Sequence, residues 1–147
     1  MDIPASIRIL ATIRTGSVFY FEEERLSSTE PHYFIVLNKD PRVEEMVVLL
    51  CASSQIEKRQ RIARHLGFPP KTLVIVTPTE YPLFTKETVI DCNRTFETTT
   101  QSLIEKLENN KLKVCTEIMA EAIVEKLLQG VAVSSKIAEN IKQLLAQ

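Results

Sequence analysis

The sequence predicts an α+β fold in which short antiparallel strands come first and helices close the chain. Short β-branched, aromatic and aliphatic runs lie between Val18 and Cys92, each bounded by turn residues. The last third instead places its apolar residues at helical spacing. Helices do not alternate with the strands, which disfavours a doubly wound parallel sheet. A small, strongly curved, barrel-like sheet with helices at its end accounts for all three observations. The chain reads as one domain, 1–147: an N-terminal helix over 1–15, the barrel with one inserted short helix over 16–95, and C-terminal helices over 100–147.

Ile3, Ile7, Leu10 and Ala11 fall at helical spacing, so their side of the first helix is expected on the sheet or on a partner. Asp2 is placed to cap it, Pro4 suits its first turn and Thr15-Gly16 supplies the stop. Val18 to Phe21 is the first strand. Glu22 to Pro31 is polar apart from Leu26 and longer than a hairpin needs, as mobile connections and functional lids are. Its charge run, Glu22-Glu23-Glu24-Arg25, reads as a solvated face. Tyr33 to Leu37 is an apolar run typical of a strand buried on both sides. Asn38 to Pro41 turns the chain, and Met46 to Ala52 returns antiparallel.

After Ala52 the character changes to Ser53, Ser54 and Gln55, hydroxyls and an amide delivered at a strand end, a common place for a site. Gln55 to Leu66 reads as a helix stopped by Gly67, and its Lys58, Arg59, Arg61 and Arg64 form the one concentrated positive patch. Thr72 to Val76 and Thr88 to Cys92 are further strands, with Asn93 to Thr100 as a polar connection. Leu103, Ile104 and Leu107 mark a helix capped by Thr99 or Thr100 and broken at Asn109-Asn110. Thr116-Glu117 opens the next, with Met119, Ala122, Ile123 and Leu127 on its apolar face and Gly130 at its end. Ser134 or Ser135 opens the last, with Ile137, Ile141, Leu144 and Leu145 on one face; these stripes are core or partner surface, and their being more than one small barrel can cover argues for a homodimer.

A chain of 147 residues with 44% hydrophobic and 25% charged residues closes one sizeable core. The net charge of −1 provides no global field for nucleic acid, so any such contact needs a local cluster. Three glycines argue against a Gly-rich phosphate loop. Cys51, Cys92 and Cys115 are dispersed and lack zinc-ligand spacing, so they read as buried, reduced thiols of a cytosolic protein. The N-terminus lacks signal-peptide layout, and no apolar run approaches the ~20 residues of a membrane span. The expectation is a cytoplasmic protein with no membrane contact and no cofactor.

Several segments, in order, resemble the MazF-like (PemK-like) toxins of bacterial toxin–antitoxin pairs. Gly16-Ser17-Val18-Phe19 resembles the family's opening strand. Pro31 with Tyr33-Phe34-Ile35-Val36-Leu37-Asn38 is similar to its second strand. Cys51-Ala52-Ser53-Ser54-Gln55-Ile56 resembles the end of its third, Glu87-Thr88-Val89-Ile90 a late strand, and Leu127 to Ser135 its C-terminal helix pair. The resemblance implies an SH3-like antiparallel barrel, a homodimer, a cognate antitoxin as partner, and metal-independent cleavage of single-stranded RNA.

The sequence departs from the family at one position. The family's catalytic arginine immediately precedes the proline of the second strand, and here that residue is Glu30. An arginine there holds the scissile phosphate, whereas a carboxylate repels it. Ser53 keeps a hydroxyl at the family's catalytic threonine position. His32, as acid or base, and Arg25, from the same loop, are the candidates to replace the arginine. Ser54, Gln55, Lys58, Arg59, Arg61 and Arg64 are the candidate RNA contacts. The competing expectation is a non-catalytic protein on the same scaffold that binds a partner or RNA without cutting it.

Overall fold

The computed structural model describes residues 3–44 and 46–146. Its strands β1 (Val18–Phe21), β2 (His32–Val36), β3 (Val47–Ser53), β4 (Leu73–Val76), β5 (Thr88–Thr98) and β6 (Leu112–Val114) form one antiparallel sheet in the order β4-β5-β3-β2-β1-β6. The helices are α1 (Ala5–Thr12), α2 (Ile56–Leu66), α3 (Thr100–Glu108), α4 (Glu121–Val133) and α5 (Glu139–Ala146). Among the described residues no pairing joins β4 to β6, so hydrogen bonds do not close the sheet into a barrel.

Alternation along each strand splits the core in two. Val18, Ile35, Leu50 and Ile90 face one way and meet Leu127, Val131 and Ile141 of α4 and α5. Phe19, Phe34, Leu49 and Phe96 face the other way and meet Ile9, Ile13 and Leu103 from the α1 and α3 side. Helices therefore cover both faces of the sheet and are not gathered at its end. Continuous apolar runs in β2 and β3 follow from this, since both of their sides are buried.

The β2–β3 turn is pinned by Asn38, which is buried. Its Oδ1 accepts from the Val48 amide at 2.6 Å and its Nδ2 donates to the Met46 carbonyl at 2.7 Å. The first strand's entry is fixed by Gly16 at φ 89°, where a Cβ would stand 3.0 Å from the Met119 carbonyl.

Several boundaries differ from the sequence reading. The proposed cap Asp2 lies outside the described residues. Pro4 is the N-cap of α1 and not in its first turn. Ile9 and Ile13 are the buried residues at this end, whereas Ile3, Ile7 and Leu10 are exposed. Ile9 and Ile13 form an i, i+4 pair of their own, and the spacing alone did not choose between the two stripes. The segment after Cys92 is not a connection: β5 continues to Thr98, and its polar residues sit in a bend. The register passes from Leu50↔Thr95 to Ala52↔Ile90, leaving extra β5 residues that take no part in the straight ladder. Asn93, buried in that bend, donates to Thr72 Oγ1 at 2.9 Å and accepts from Ser134 Oγ at 2.7 Å. Strand β6 was not anticipated, being only a short run past the Asn109-Asn110 break. Helix α4 begins at Glu121, after an extended stretch, and Gly130 lies inside it. Helix α5 begins at Glu139, with Ser134 following α4 as its C-cap. Thr99 does cap α3, its side chain accepting from the Ser102 amide.

Candidate functional site

The ends of β2 and β3 converge beside the start of α2. Here the loop after β1 and the loop before β5 stand on either side of a cleft of about 500 Å³. The β2–β3 register pairs Phe34 with Cys51, and continuing it two residues sets His32 opposite Ser53. Both line the cleft, as do Ser54, Gln55, Lys58 and Arg59. The structure thus assembles most of the residues chosen from sequence.

It does not bring Arg25, Arg61 or Arg64 to the cleft wall. Arg25 is paired with Glu23, and its guanidinium lies 5.2 Å from the centre of the Phe96 ring. Arg94 lies over the same ring and donates to the Arg25 carbonyl at 3.0 Å, so the first half of the loop is fastened to β5. Glu23 is accordingly buried, and not part of a solvated face. Arg61 and Arg64 are exposed on α2. The sequence reading missed Lys86, Tyr20 and Tyr33, which also line the cleft. Lys86 belongs to the stretch between β4 and β5, whose length without regular structure was the available signal.

The polar groups have defined local roles. His32 Nδ1 lies 2.9 Å from the Glu30 carbonyl oxygen. A carbonyl only accepts, so Nδ1 carries the proton, and in the neutral ring Nε2 is left as a base. Ser53 Oγ accepts from the Gln55 amide at 3.1 Å, which leaves its own proton to donate. Helix α2 starts there without a side-chain cap, so its first-turn amides point toward the cleft end. Lys58, Arg59 and Lys86 form no ion pair with another described residue. Glu30 also lines the cleft.

An aromatic row backs the cleft. Tyr20 and Tyr33 have ring centres 4.5 Å apart, and Tyr33 meets Phe84 edge-on at 5.4 Å. Burial raises the Tyr33 phenol, with lesser contributions from Cys115 and Tyr20, which favours its neutral donor form. Among the described residues no three His, Cys, Asp or Glu side chains are grouped as metal ligands. None of their helices is long and apolar enough to cross a membrane.

Burial disfavours the thiolate, the nucleophilic form, at Cys51, Cys92 and Cys115. Burial pushes Cys92 from its ordinary 9.0 up to about 12, and Cys51 likewise despite the opposing charges of Arg59 and Arg94. A folded-state value raised this way stabilises the fold fully below pH 9.0 and loses that contribution as pH climbs toward 12. Cys92, fully buried, should therefore cost about 1.4 kcal/mol of stability per pH unit across that window. Urea midpoints compared at pH 8 and pH 10.5 should show the drop, and Cys92→Ala should make it shallower. An unchanged slope in the variant assigns the drop to other groups.

No family model matches the chain, and no curated protein matches it.

Proposed function

We propose that the cleft binds single-stranded RNA and cleaves it weakly, without a metal, as a cytoplasmic toxin of the MazF/PemK type on a bent, SH3-like sheet. The observation that carries the reading is the convergence of His32, Ser53, Lys58 and Arg59 on one open cleft. The segments that resemble the toxin family contain Ser53 and flank His32, which is why RNA is preferred to another polyanion. In this reading His32 Nε2 removes the proton of an RNA 2′-hydroxyl. The freed oxygen attacks the adjacent phosphorus, the bond to the 5′-oxygen breaks, and that oxygen takes a proton from water. The products are a 2′,3′-cyclic phosphate and a 5′-hydroxyl end. Ser53 donates to a phosphate oxygen, and Lys58 and Arg59 hold the developing charge.

The test is cleavage of a mixed-sequence single-stranded RNA with chelator present. The wild type should cut slowly, and His32→Ala or Ser53→Ala should each lower the rate about 100-fold. Wild-type cutting that neither variant changes would remove the assignment. A specific observation favours a second reading, a non-catalytic binder of an antitoxin or RNA: the Glu30 carboxylate stands in the same cleft. Binding without cleavage by the wild type, at any chelator concentration, would select it.

A homodimer belongs to the same proposal. The apolar faces of α4 and α5 are buried on the sheet, so they no longer argue for it. Ile3, Ile7 and Leu10 of the α1 end supply the exposed apolar stripe instead. Light scattering at micromolar concentration should give twice the 16.7 kDa chain mass, and the single-chain mass alone would refute the dimer.

A further inference from the structure

A second cleft, of about 830 Å³, lies on the other side of the loop after β1. Tyr20, Leu26, Ser28 and Pro31 line both clefts, so the two meet along one shared wall. Lys106, Lys111 and Lys113 line the second cleft alone. We propose that the two clefts form one groove for single-stranded RNA, the strand running from Arg59 and Lys86 across Tyr20 to these three lysines. The proposal rests on the reading of the first cleft as an RNA site and extends its footprint.

The sheet supplies the bridge. Tyr20 is paired with Tyr33 on β2 and with Lys113 on β6, so a lateral row runs from the first cleft to the second. Tyr20 is half-buried, leaving ring surface beside the tilted Tyr33 ring. Such a surface suits a base, whose stacking on an aromatic ring is worth about 1–3 kcal/mol whatever the sequence. Lys106 is held in place, its ammonium 5.4 Å from the Phe21 ring centre. Lys111 and Lys113 are exposed and form no ion pair with a described residue.

Glu22, Glu23 and Glu24 also line the second cleft. Glu23 is neutralised by Arg25, while Glu22 and Glu24 are exposed. In the proposed groove the lysines meet phosphates, and the exposed carboxylates are acceptors for base N–H donors.

The experiment measures binding of 2′-O-methyl RNA, which lacks the attacking hydroxyl, at lengths of about 4 and about 12 nucleotides. The triple variant Lys106→Ala, Lys111→Ala, Lys113→Ala should lose about tenfold in affinity for the longer strand and none for the shorter. Its salt slope on the longer strand should fall by about 2, the value for three lost phosphate contacts on a single strand. Lys58→Ala with Arg59→Ala should weaken both lengths. A triple variant that binds the longer strand as wild type does, or that loses both lengths equally, overturns the groove while leaving the first cleft's assignment intact. Failure of the wild type to bind either length overturns both.

Discussion

Replacing Gly130 with valine should destabilise the protein by about 3 kcal/mol, at the upper end of what overpacking costs. For a chain of this size that corresponds to a fall in Tm of about 6–12 °C. Gly130 is buried within α4, where glycine is ordinarily a defect costing about 1 kcal/mol relative to alanine. Here the missing side chain is a requirement of packing. A Cβ at this position would lie 2.7 Å from the Lys71 carbonyl oxygen and 2.7 Å from Cys92 Sγ. The first obstacle is backbone, so no rotamer change relieves it. Alanine should therefore also destabilise, despite its better helix propensity. Gly67 is the contrast: at φ 73° with nothing within 4 Å, it should cost about 1–2 kcal/mol on replacement by alanine through backbone strain alone. Thermal melts of Gly130→Ala, Gly130→Val and Gly67→Ala separate the two causes. A Gly130→Ala protein as stable as wild type would show that α4 does not approach the Pro70–Thr72 turn this closely.

That contact bears on the cleft. Helix α4 presses on Cys92, and the first half of β5, Thr88 to Cys92, holds the end of β3 through Ala52↔Ile90 and Ser53↔Val89. Gly130 thus packs against the same half of β5 that pairs with Ser53.

The same region shows what the sequence made legible and what it did not. β1, β2, β3 and α2 were readable because each has one dominant local signal: an unbroken apolar run, or helical spacing closed by a left-handed Gly67. Gly130 carried the same letter as Gly67 and was read as the same kind of stop. Its reason is a tertiary approach between residues far apart in sequence, which no local pattern encodes. The extension of β5 failed for a related reason. Asn93, Arg94 and Thr95 look like a polar connection, but Asn93 is satisfied by Thr72 and Ser134 from two other segments. The helices on both faces were hinted at by the continuous apolar runs of β2 and β3, which a one-sided sheet does not need. At the cleft, His32 and Ser53 could be nominated because they sit at strand ends. Lys86 and Tyr20 were not nominated: the β1–β2 register brings Tyr20 alongside, and for Lys86 only the length of its loop hinted at a role. Arg25 looked available in sequence and is instead taken up by Glu23 and Phe96.

Glu30→Arg should raise RNA cleavage about 10- to 100-fold above wild type. Glu30 lines the cleft with His32, Ser53, Lys58 and Arg59, and its carbonyl, not its side chain, positions His32. In the proposed RNA site the substitution therefore changes the charge facing the phosphate while the backbone contact to the imidazole is kept. Unit charges ~4 Å apart interact by about 1 kcal/mol in water and about 4 kcal/mol near a protein surface. Reversing the sign turns a repulsion of that order into an attraction, and each 1.4 kcal/mol is about tenfold in rate. Part of the gain is uniform attraction for bound RNA and appears in KM. The part that acts on the charge developing at phosphorus appears in kcat. The prediction is a rise in both kcat and kcat/KM, abolished when His32→Ala is added to Glu30→Arg. A rise in affinity with no change in kcat would place Glu30 on the path of the strand but away from the scissile phosphate. No cleavage by wild type or Glu30→Arg, with binding retained, would make the cleft a binding site and would show that the Glu30 carboxylate is not what keeps the phosphate from reacting.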